Sequence, residues 1–361
     1  MHHPRHALVM ALAACAGTAA SAQSASSSVT VYGLMDACLA RADLGNSTNK
    51  AVNSGCLYGS RLGFRGTEDL GDGHRAYFVL ESGFTIDSGA LAQGGRIFGR
   101  KALLGLAGPW GGVDVGRDYA PAFYLIQPVD PMALGIGTAT STLWSGSPSS
   151  TAARVDNAIN YLTPRWGGVS ARLQFAPGEQ PAPAAARGRD VLGLNVLYQA
   201  GNTVAGLSHA RVANAADSAE DRATTVALRQ NFGRFSLAAI VQSGSWQGSR
   251  DVGTPASASS IFSRSYRSYL VGGSLRVGDV GSINTSLKRY DDRTGGNFDI
   301  TQWSIAYVHS LSKRTDLYAG YSQLDNRNGS SYAVSDATGA YTTVDAGART
   351  SLLATGIKHS F

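Results

Sequence analysis

The sequence predicts an all-β fold: a 16-stranded antiparallel β-barrel that crosses a membrane. Three observations carry this. Segments of about ten residues with alternating character recur along the chain, joined by very short and much longer connections in turn. No stretch beyond residue 22 has the 18 or more consecutive apolar residues of a spanning helix, and the mean hydropathy is −0.08. The last segment, 348–361, alternates to its end: Leu353, Thr355, Ile357, His359 and Phe361 share one face, and Ala354, Gly356, Lys358 and Ser360 the other. In lipid the sheet has to close, so this segment is expected to pair antiparallel with the first strand, over Val29 to Ala40.

The first element is not part of the barrel. Arg5 supplies the charge of a short leader, an apolar run follows from Ala7 to Ala14, and Ala20, Ser21 and Ala22 form a small-residue cleavage site. Residues 1–22 therefore read as a secretory signal peptide, with a lipoprotein box ending at Cys15 as the alternative. The barrel then occupies 23–361.

Strands are expected at 29–40, 56–66, 73–86, 95–107, 110–118, 153–163, 168–177, 188–200, 203–213, 221–232, 234–245, 264–277, 281–291, 298–310, 314–325 and 348–361. Seven short turns, at 67–73, 108–112, 164–168, 200–202, 232–234, 278–281 and 311–314, carry the Gly, Asn, Asp, Pro or Ser that a reversal needs. Trp110, Trp166, Phe232, Trp303, Tyr307 and Tyr321 lie near strand ends, where interfacial girdles form. The connection 119–152 breaks the rhythm, because it is long and holds Phe123, Leu125, Ile126, Met132 and Leu134. Such side chains favour folding inward against the wall, which narrows the lumen.

Composition excludes other classes. Gly is abundant at 44 residues, and charged residues make up only 16%. The net charge of +6 is diffuse, with no cluster of five or six basic residues, so no nucleic acid is implied. Cys38 and Cys56 flank the first long loop in an oxidising compartment. Either a disulfide or two unpaired thiols fits the sequence, and no zinc site or other cofactor is implied.

A series of motifs in order resembles the Gram-negative outer-membrane general porins of the β-proteobacterial, trimeric sixteen-stranded kind. They include SVTVYGLMDA from Ser28, GSRLGFRGTEDLGDG from Gly59, FVLESGF from Phe78, FGRKA from Phe98 and VGRDY from Val115. VDP from Val129, RVDN from Arg154, LSKRTDLY from Leu311 and the terminal GIKHSF from Gly356 continue the series. The resemblance implies short periplasmic turns, long extracellular loops and an inward-folded third loop. It also implies a homotrimer in outer-membrane lipid and lipopolysaccharide, built by the barrel assembly machinery, which would read Phe361. The expected cargo is ions and small hydrophilic solutes.

The resemblance places wall arginines opposite acids of the inward loop, at Arg61, Arg100 and Arg154. Parity supports a water-facing side for Arg61 and Arg65 against Leu62 and Phe64, and for Arg75, Tyr77 and Glu81 against Ala76, Phe78 and Leu80. A lipid-facing Arg at the midplane would cost about 2–4 kcal/mol. Arg117 and Asp36 are further lumen candidates, and Asp130 is the candidate loop acid. Asp130 is the one carboxylate between Pro121 and Ala153, so a weak preference for anions is expected. A substrate-specific channel using Tyr77, Tyr124 and Tyr318, an adhesin, and an enzyme built on His209 or His309 are the alternatives.

Overall fold

The computed structural model describes residues 27–137, 153–178, 190–213, 220–245, 265–341 and 344–361. The expected signal peptide and residues 138–152 of the long connection lie outside the described residues.

The wall begins with β1 (Ser28–Asp43), then β2 (Thr48–Ser54) and β3 (Arg61–Gly71), which are two halves of one wall strand paired in succession with β1. It continues through β4 (His74–Gly83), β5 (Lys101–Gly108), β6 (Gly111–Tyr119), β7 (Arg154–Leu162), β8 (Val169–Ala176), β9 (Val191–Ala200) and β10 (Thr203–Ala213). Next come β11 (Glu220–Phe232), β12 (Phe235–Ser245), β13 (Ser265–Val277), β14 (Gly281–Asp292), β15 (Ile300–Ser310) and β16 (Thr315–Asn326). A small hairpin, β17 (Ser335–Asp336) and β18 (Gly339–Ala340), decorates the last long connection before β19 (Arg349–Ser360) closes the barrel. Counting β2 and β3 together gives sixteen wall strands, each antiparallel to its neighbours. Two short helical turns, α1 (Ala92–Gly95) and α2 (Pro121–Ile126), lie in loops.

From residue 188 onward the expected strand bounds agree closely with the wall. They fail near the start. The expected second strand at 56–66 is instead the split pair β2 and β3, and the first loop shrinks to 44–47. The polar run from Thr48 to Ser54 hides its strand character, yet each of its residues pairs with one of β1. The turn expected at 67–73 tightens likewise: β3 runs to Gly71, and Asp72 (φ 51°) and Gly73 (φ 75°) make a two-residue reversal of the kind that suits strand twist. The fourth strand starts at Lys101 rather than at 95.

Closure falls where expected but in a shifted register. β1 pairs with β19 from Leu34 with Ser360 to Asp43 with Ser351, because staggered, tilted strands leave the start of β1 to β3 alone. Phe361 extends the seam: its N–H donates to the Gly33 carbonyl and its own carbonyl accepts from the Gly33 N–H, both at 3.1 Å. Its ring lies over Gly33, where a Cβ would come within 2.5 Å of it.

Burial is inverted relative to a water-soluble protein. Leu104, Val271, Leu287 and Leu353 are exposed on the outer face, whereas Gln242, Ser322 and Thr350 are fully buried on the inner one. An apolar exterior around a polar interior is the arrangement that lipid outside and water inside select.

Candidate constriction site

The long connection after β6 turns into the lumen and runs along the inner wall. Pro121 opens α2 at a position where a missing N–H costs nothing. Leu125, Ile126 and Val129 are then fully buried against Ala227, Ala238, Ile240 and Leu270 of β11 to β13. Small wall residues make the seat. A Cβ at Gly206 would meet Leu125 at 2.8 Å, and one at Gly320 would meet Ile136 at 2.8 Å. Between 121 and 137 the segment thus crosses the inner wall from β9 to β16. The Asn195 amide donates to the Pro121 carbonyl at 2.9 Å, and the Gln174 amide to that of Tyr119 at 3.0 Å.

Opposite this seat stands a group of cations. Arg100 Nη2 and Arg154 Nη2 both donate to the Tyr119 hydroxyl, at 2.7 and 2.8 Å. Arg154 also stacks its guanidinium over the Tyr119 ring at 4.4 Å. Arg61 Nε donates to the Gly59 carbonyl at 3.0 Å, and Arg154 Nε to that of Arg100 at 3.0 Å. The nearby carboxylate is Glu81, held by Arg100 Nε at 2.7 Å and by the Tyr32 hydroxyl at 3.0 Å. These arginines spend part of their donors on carbonyls and a phenol, so their positive charge outweighs the one carboxylate among them.

A second group lies beside it. Lys101 and Arg172 flank Asp118 at 3.2 and 2.7 Å, and the Tyr124 hydroxyl donates to the same carboxylate at 2.6 Å. Burial, with Asp118 adjacent, pushes the Tyr124 phenol well above its ordinary value, so it stays a neutral donor. A recess of about 520 Å³ is lined by Lys101 and Arg172 together with Arg65, Arg75, Tyr77 and Asp114. Arg65 sits 5.4 Å from the Tyr32 ring centroid.

Three expected residues stand elsewhere. Asp130 is buried, and its carboxylate accepts from the N–H groups of Met132 and Leu134, both at 3.0 Å, so it folds the loop rather than facing the arginines. Arg229 of β11 lines the same recess as Asp130. Arg117 stands outside the cluster, in alternation with outward Val113 and Val115 and not with Asp114 and Asp118; it bonds the Gly99 carbonyl at 2.7 Å and pairs with exposed Asp156, which Arg96 also holds at 2.7 Å. Asp36 is fully buried and bonded to the backbone at 57 and 58. Lys101 and Arg172 were not among the expected residues. Parity reveals Arg172, since Leu173 and Phe175 of β8 are exposed outside and Gln174 is buried inside.

A closed barrel with an apolar exterior, a polar interior and a loop folded across its lumen defines a water-filled outer-membrane channel. The chain belongs to the Gram-negative porin family, whose model matches residues 9–329. It is 32% identical over 354 residues to outer membrane porin protein 32 of Delftia acidovorans, covering 95% of this chain and 97% of that one. It is 30% identical over 359 residues to an outer membrane porin protein of Bordetella pertussis, covering 86% and 92%. Among solved structures, the anion-selective porin from Comamonas acidovorans superposes with a TM-score of 0.78 at 30% identity, over 93% of this chain and 100% of that one. The protein resides in the outer membrane and acts as a general diffusion porin.

Proposed function

We propose that this porin prefers anions weakly, with Arg61, Arg100 and Arg154 setting the bias at the constriction. The observation that carries the reading is that cations outnumber carboxylates in the two groups beside the inward loop: Arg61, Arg100 and Arg154 to Glu81, and Lys101 and Arg172 to Asp118. Internalising Asp130 takes away the loop acid that would oppose them. One unit charge at about 10 Å in water-like dielectric is worth about 0.4 kcal/mol, so three approach twice RT. Low-dielectric walls focus the field further.

Passage is by diffusion rather than along a stacked aromatic slide, and it involves no catalytic step. Each tyrosine that such a slide would use is bonded to a different carboxylate: Tyr77 to Asp114 at 2.8 Å, Tyr124 to Asp118, and Tyr318 to Asp36. The working unit in this reading is a homotrimer, which migration of the unheated protein on a denaturing gel would report. Swelling of vesicles carrying the purified protein tests the preference. Small carboxylates should enter faster than neutral or cationic solutes of equal size, without saturation; equal rates for all three would remove it.

A further inference from the structure

The interruption between β2 and β3 is a built feature. Residues 55–60 leave the sheet and are held from several directions. The Asp36 carboxylate accepts the Leu57 and Tyr58 N–H groups, at 3.2 and 2.7 Å, and the Tyr318 hydroxyl. The Asp36 carbonyl accepts the Gly55 N–H at 2.8 Å. A disulfide joins Cys56 to Cys38 of β1, with Cα atoms 6.1 Å apart. A fully buried carboxylate and a covalent crosslink on six residues of backbone far exceed what an ordinary bulge needs.

What this bulge touches explains the investment. On one side a Cβ at Gly135 of the inward loop would come within 2.6 Å of the Leu57 carbonyl and 3.1 Å of its Cα, so loop and bulge meet backbone to backbone. Cys56 and Leu57 share an apolar cluster with Met132 and Ile136 of that loop. On the other side the Gly59 carbonyl accepts Arg61 Nε, and a Cβ at Gly59 would sit 3.3 Å from an Arg100 terminal nitrogen. The bulge thus stands between residues 132–136 of the loop and two of the three clustered arginines.

We propose that Asp36 and the Cys38–Cys56 disulfide are positioning residues for conduction: through the 55–60 bulge they set the gap between the arginine cluster and the inward loop. This rests on the arginine-lined constriction proposed above, yet it predicts a different quantity. The disulfide and Asp36 should control conductance and its steadiness, while the sign of ion preference stays with the arginines.

Single-channel recording in planar bilayers tests this on the purified, folded protein before and after treatment with a phosphine reductant, with thiol counting to verify that the bond has opened. The Cys38→Ser/Cys56→Ser double variant and Asp36→Ala are recorded alongside, with Asp36→Asn, which keeps one acceptor oxygen, as the conservative rescue. Conductance should shift by about 1.2- to 1.5-fold, with added flicker, on the scale of a wall element moving by about 1–2 Å. Asp36→Asn should recover part of the change, and the sign of the reversal potential should hold. If the reduced protein and the double variant both conduct as the untreated protein does, with only thermal stability lowered, the crosslink is merely structural and the proposal is overturned. A reversal potential showing cation preference in the untreated protein would instead sink the anion reading and leave the conductance comparison interpretable.

Discussion

Arg154 and Arg117 are separated by a few residues of wall, yet their surroundings differ in kind. Arg154 is stacked on Tyr119 within the cluster, whereas Arg117 is paired with exposed Asp156, which it shares with Arg96. Arg154→Gln should therefore lower the anion-to-cation permeability ratio about fourfold, since losing one charge shifts anion and cation by about 0.4 kcal/mol each in opposite senses, and Arg117→Gln should leave it unchanged; reversal potentials of the two variants check this. Motif and parity together made Arg61, Arg100 and Arg154 readable in the sequence. Arg172 was readable from parity alone, between outward Leu173 and Phe175. Parity alone already sets Arg117 apart, since it falls with outward Val113 and Val115 and not with Asp114 and Asp118. Asp130 misleads for a different reason. Its position on the loop suggested a carboxylate open to the passage, but a short Asp side chain readily bonds backbone two residues on, as it does to Met132.

At the scale of elements, the inward loop depends on small wall residues as much as on its own apolar side chains. Gly206 leaves room for Leu125, and buried Leu125 contributes roughly 1.5–3 kcal/mol by leaving water. Gly193 of β9, where a Cβ would meet Pro121 first, at 2.7 Å, tests this without touching the wall backbone: Gly193→Leu should push the loop from its seat and raise both conductance and current noise, while the barrel still inserts. Liposome flux beside single-channel traces reads that outcome. The inward course of this loop was legible, since five apolar residues in a long connection need a surface. The interruption of β2 and β3 was not legible, because Thr48–Ser54 lacks alternation and its pairing comes from β1, which is already committed to an outward and an inward face. Strands beyond residue 188 were legible to within a few residues, because their alternation is regular and their turns are short.

For the whole molecule, closure joins both ends of the barrel at one seam. Phe361 completes that seam through paired backbone bonds and by filling the space over Gly33. Deleting Phe361 should reduce the yield of folded, outer-membrane-inserted protein, and those channels that do insert should conduct normally; a normal yield with altered conductance would show that the residue belongs to the passage. The overall charge of the chain says little about selectivity, since its surplus is spread along the sequence. What matters is where the fold gathers cations and where it hides acids. The zero-current potential of the purified porin in a planar bilayer under a potassium chloride gradient measures this most directly. An arginine-biased constriction gives a potential displaced toward that of chloride, modest in size and reduced by neutralising Arg154; a potential displaced toward that of potassium would contradict it.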